Sequence, residues 1–116
     1  MGGSALKGKK SFVLYFDMHR SIRELSADQR GELLSALFEF AEQAAEWDNE
    51  EIIREEVLSA HPEMGPAAAM AFSFMAETIW RDTAKWREKH LRYREAAEKR
   101  WESRVESPYF GKDRIP

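Results

Sequence analysis

A chain of 116 residues that is 43% apolar and 34% charged suits one compact domain with a single core; it is too apolar for wholesale disorder and too charged for a membrane protein. With no cysteine, it can have no disulfide framework, thiolate zinc site, iron–sulfur cluster or cysteine nucleophile. The net charge of −3 averages a segregated pattern, with twelve acids against two arginines over residues 24–63 and nine Lys/Arg against five acids over 81–104, so the two stretches either attract each other in the fold or face different partners.

Residues 1–10 read as a flexible basic leader ending in Lys7, Lys9 and Lys10. The longest strongly apolar run, Phe12–Phe16, falls far short of a membrane span or a signal core, and Leu6 breaks the myristoylation pattern, so a cytoplasmic protein is expected. Phe12–Phe16 is too short for periodicity to assign; it reads as extended or as a lead-in to a short helix from near Asp17, with Asp17 as cap and Met18, Ile22 and Leu25 turned inward.

Ser26-Ala27-Asp28-Gln29 forms a capping box. It predicts a helix over 27–45 with Leu33, Leu34, Leu37, Phe40, Ala41 and Ala44 on its apolar stripe and Phe38 widening it. Gly31, costly inside a helix by about 1 kcal/mol, reads as a place where another element packs closely. After Trp47-Asp48, Asn49 caps a second helix near 50–60, with Glu50 and Glu51 in its first turn and Ile52, Ile53, Val57 and Leu58 as its apolar face. His61-Pro62 ends that helix and Gly65-Pro66 starts the next.

From Pro66 to about Arg104 no proline or glycine intervenes. One helix over that stretch spans on the order of 57 Å, more than the core of so small a domain, so its C-terminal half is expected to project or to pair with another chain. Its apolar positions run through Ala71, Met75, Ile79, Trp86, His90, Tyr93, Ala97 and Trp101, a spacing that sustains a helix–helix seam. The organisation expected is therefore all-α, with three short helices packed on one long C-terminal helix: a leader at 1–10, a helical domain at 11–105 and a tail at 106–116.

No enzyme signature emerges. His19, His61 and His90 lie on separate segments; none belongs to an H-E-x-x-H, and none follows a glutamate three residues earlier as di-iron bundles require. The glycines form no phosphate cradle, and there is no G-x-S-x-G elbow. No catalytic residue, metal or cofactor is assigned, and His90 reads as a packed histidine rather than a ligand. Glu46, Asp48, Glu50, Glu51, Glu55 and Glu56 have two readings: a solvated face, or a negative surface that docks on a basic protein and mimics nucleic acid.

The long helix also has two readings. Arg81, Lys85, Arg92 and Lys99 form a basic stripe that can follow phosphates, and the aromatic residues can stack on bases. Alternatively Trp86, His90, Tyr93, Ala97 and Trp101 form a seam between helices, with Glu88–Arg92 and Glu95–Lys99 as supporting pairs one turn apart.

Several separated motifs carry a resemblance. Lys10-Ser11-Phe12-Val13-Leu14-Tyr15, Glu24-Leu25-Ser26, Gly31-Glu32-Leu33-Leu34 and Phe38-Glu39-Phe40 are followed by Met70-Ala71-Phe72-Ser73-Phe74-Met75, Arg81-Asp82 and Lys85-Trp86. Over about residues 9–94 the chain resembles a small phage and prophage family of unknown function, similar in setting to proteins encoded beside phage replication genes. The resemblance implies a helical fold, a mobile-element origin and a bacterial host cell; it implies no catalytic residues. Two departures stand out: an acidic stretch at 43–63 longer than a short turn, and a helical tail after Arg94 where a Gly-rich basic ending is usual.

Three functions follow as expectations. The first is a non-enzymatic interaction module acting on nucleic-acid machinery in replication or its control, with a protein partner and a homo-oligomer formed through the Trp86–Trp101 seam. The second is a phage-encoded inhibitor of bacterial defence, of the anti-CRISPR kind, whose acidic face fills a nucleic-acid groove. The third is a DNA- or RNA-binding accessory using the basic stripe.

Overall fold

The computed structural model describes residues 9–106, and side chains through Glu102. The expected leader, apart from Lys9 and Lys10, and the expected tail beyond Glu106 lie outside the described residues. The architecture is all-α. A 3-10 turn at Phe16–Met18 runs into α1 (His19–Ile22), followed by α2 (Ala27–Ala44), α3 (Glu50–Ala60) and α4 (Gly65–Glu106). Among the described residues there is no strand, and no helix is long and apolar enough to cross a membrane. The chain divides into two compact units between Ala84 and Lys85, and α4 is an unbroken helix through Asp82.

The helix limits follow from local hydrogen bonding. At the start of α2 the Ser26 Oγ accepts from the Gln29 N–H (3.2 Å), and the Gln29 Oε1 accepts from the Ser26 N–H (3.3 Å). The Asn49 Oδ1 accepts from the Ile52 N–H (3.1 Å) to open α3, with Glu50 and Glu51 in its first turn. Helix α3 ends where the sequence places His61 before Pro62: the His61 N–H reaches back to the Leu58 carbonyl at 3.1 Å. The first helical turn differs slightly from expectation. Tyr15, not Asp17, holds the cap position, because its extended backbone points its carbonyl at the Met18 N–H (2.9 Å); Asp17 sits within the first turn.

The core of the first unit is built from one face of each helix. Leu33, Ala36, Leu37, Phe40 and Ala44 of α2 meet Ile53 and Val57 of α3, Met64 of the connection, and Ala68, Phe72, Met75, Ala76 and Ile79 of α4. Phe40 packs edge-to-face on Phe72 at 5.8 Å and lies against Trp80 at 6.4 Å. Each such large side chain contributes about 1.5–3 kcal/mol on burial. Met18 and Ile22 pack against this cluster and Leu25 is buried, as their spacing predicts.

Two sequence expectations fail here. Leu34, Phe38 and Ile52 are half-exposed rather than core, because each lies on the flank of its helix that no neighbouring helix covers. Gly31 makes no close approach either: a Cβ there would meet nothing within 4 Å. The glycine that the geometry demands is Gly65, whose φ of +81° is strained for any L side chain and whose Cβ position lies 2.9 Å from the Gln29 Nε2. The capping glutamine of α2 thus also rests on the start of α4.

Candidate functional site

Helix α2 presents three different faces. One is the core face. The second, at 100° steps on the opposite flank, carries Glu32 and Glu39. His61, arriving at the end of α3, places Nδ1 2.7 Å from the Glu32 Oε1 and Nε2 2.9 Å from the Glu39 Oε1. Only the imidazolium form can donate to both carboxylates at once. The Glu32 hydrogen bond is the main cause holding the His61 pKa above its ordinary value; partial burial pulls the other way, and Glu39 adds to the rise. With both ring nitrogens occupied, this trio is a structural clamp and not an open ligand set, and among the described residues no cluster of His, Asp and Glu could hold a metal.

The third face of α2 lines a cleft of about 710 Å³. Leu34, Phe38, Ala41 and Ala45 form one wall with Glu42 and Glu46, and the non-helical segment with Lys9, Lys10, Ser11, Phe12 and Leu14 forms the other. Phe12 stands edge-to-face on Phe38 at 5.1 Å. At its C-terminal end the segment is fastened to α4, where the Tyr15 O–H donates to the Asp82 Oδ2 at 2.5 Å; this bond is the main cause raising the Tyr15 pKa. The exposed Phe38, an oddity as a core residue, is explained as a cleft residue.

The six acidic candidates lie between the end of α2 and the outward side of α3, and five of them are exposed. Glu46 belongs to the rim of the cleft, and Asp48 lies in the α2–α3 connection. Glu50 is partly buried and ion-paired with Arg54 one turn on. Glu51, Glu55 and Glu56 are exposed around the half-exposed Ile52, on the outward side of α3.

The basic stripe is divided between the units: Arg81 lies in the first, with its guanidinium 3.4 Å from the Thr78 Oγ1, and Lys85, Arg92 and Lys99 lie in the second. All four are exposed. Among the described residues no ion pair closes between Glu88 and Arg92 or between Glu95 and Lys99. Within the second unit, Trp86 and His90 stack with ring centroids 4.7 Å apart and planes 9° from parallel. Tyr93, Ala97 and Trp101 continue that face and are exposed, Tyr93 by 65% and Trp101 by 62%.

Sequence reasoning missed the Glu32–His61–Glu39 clamp and the cleft. The seven-residue spacing of Glu32 and Glu39 does put them on one helical face, but only the fold says that His61 meets it.

A model of the Family of unknown function (DUF6291) matches residues 11–104, and the chain belongs to that family. The match extends past Arg94, so the helical stretch read as a departure falls within the family's span. Neither the curated proteins nor the solved structures contain a match to this chain.

Proposed function

We propose that this member of the family is a non-enzymatic interaction module of phage or prophage origin, acting on nucleic-acid machinery in replication or its control. The surface that carries the reading is the second unit of α4. Tyr93 and Trp101 stand exposed at helical spacing, continuing the Trp86–His90 stack. Large aromatic side chains left in water on one helix face are a mark of a docking surface. The deciding experiment is affinity capture of the full chain from a bacterial lysate, with and without nuclease. Nuclease-resistant capture of a nucleic-acid-handling protein, lost in the Tyr93→Ala/Trp101→Ala variant, is the expected result. Capture that is indifferent to both substitutions overturns it.

A second reading, direct contact with DNA or RNA, is supported by Lys85, Arg92 and Lys99, which are exposed with no closed ion pair to Glu88 or Glu95. It predicts DNA binding that weakens steeply with salt and is lost on Arg92→Glu/Lys99→Glu. The inhibitor reading has less support, since the acids it needs are spread over the cleft rim, a connection and α3.

A further inference from the structure

We propose that the cleft between Lys9–Leu14 and α2 is a contact between two copies of this chain, made by edge-to-edge pairing of their non-helical Ser11–Leu14 segments. This surface lies in the first unit and is separate from the α4 face of the proposed function.

Three observations point to a second copy as the occupant. The first is the backbone. Among the described residues Ser11–Leu14 make no backbone–backbone hydrogen bond, yet Phe12–Phe16 is the stretch richest in aromatic and β-branched side chains. The Ser11 carbonyl accepts from the Lys9 Nζ at 2.7 Å; the rest of this non-helical backbone, given its composition, is suited to pairing with another strand. The second is preorganisation. The segment is held at both ends, by the Phe12–Phe38 ring contact and the Tyr15–Asp82 hydrogen bond, while Val13 and Leu14 between them stay exposed. Fixing a strand before it binds removes part of the ordering cost of association.

The third is charge. One wall brings Lys9 and Lys10 and the other brings Glu42 and Glu46. Phosphates or an anionic amphiphile would meet the two glutamates, and a purely basic peptide would meet the two lysines. A surface carrying both signs is complementary to itself: across a two-fold axis, Lys10 of one copy faces Glu42 and Glu46 of the other. The half-exposed Leu34 and Phe38 would then be covered by the partner's Val13.

Sedimentation equilibrium of the full chain, from micromolar to near-millimolar concentration, tests this. The wild type should dimerise. Val13→Pro removes a donor from the pairing edge, outside every helix, and should weaken the dimer about tenfold or more. Lys10→Glu and Glu42→Lys should each weaken it, and the variant carrying both should recover most of the loss. Circular dichroism checks that each variant keeps its helices, and if Val13→Pro unfolds the chain the charge exchange alone decides. A wild type that stays monomeric throughout overturns the proposal, as does a folded exchange variant that recovers nothing. A dimer insensitive to these changes but abolished by Trp101→Ala would assign self-association to α4 instead.

Discussion

Helix α4 carries periodic large apolar residues on both sides of Ala84, and they have opposite fates. Met75 and Ile79 are 2% and 1% exposed, whereas Tyr93 and Trp101 are mostly in solvent. The pattern of residues is of one kind in both stretches. What differs is that α2 and α3 supply a facing core to the first and nothing among the described residues of the second unit covers the other. A helical period therefore reports that a face is apolar; whether it is covered depends on what else the chain brings there. The same distinction holds within α2, where Phe40 is buried and Phe38, two residues away, opens on a cleft.

The sharpest way to break this comparison is to truncate a ring on each side of it. Phe40→Ala should cost about 3–5 kcal/mol in urea unfolding, since it leaves a cavity against Phe72 and Trp80. Trp101→Ala should change stability by no more than about 0.5 kcal/mol while impairing capture of a partner. Equal costs would mean that the second unit's face is buried in solution.

The two glycines offer a second contrast. Gly65→Ala should destabilise by more than about 1 kcal/mol, because the positive φ is strained for any residue with a Cβ and the tip of Gln29 would have to shift. Gly31→Ala, with open space around it, should stabilise by about 0.5–1 kcal/mol. The same unfolding measurement reads both, and a shared sign would refute the assignment.

The clamp on α2 predicts a pH dependence. The folded pKa of His61 is raised, so its stabilising contribution is fully present below the unfolded value of about 6.5 and is lost as pH rises through the folded value. Both carboxylates are partly exposed, which limits the contribution to about 1 kcal/mol. His61→Gln should flatten the wild-type loss of stability across that window; an unchanged slope would show that another group titrates.

Much of the fold was legible because helix ends are local. Ser26 with Gln29, Asn49, and His61 before Pro62 each act over three or four residues, and each stops or starts a helix where the sequence puts it. Within the candidate acidic stretch, only the fold shows that Glu46 lines a cleft and that Glu50 pairs with Arg54 one turn on. Gly31 misled for a related reason, since a glycine's cost in a helix can be read from the chain but its neighbours cannot.

By itself the sequence determined the helical class, the caps and which faces of α2, α3 and α4 are apolar, because those depend on hydrogen bonds and periodicity within a few residues. Only the tertiary structure decided which apolar faces are covered, that Phe12 meets Phe38, and that His61 closes on Glu32 and Glu39, 29 and 22 residues away. Such contacts join separate elements, and their existence rests on how the helices dock rather than on what each segment prefers.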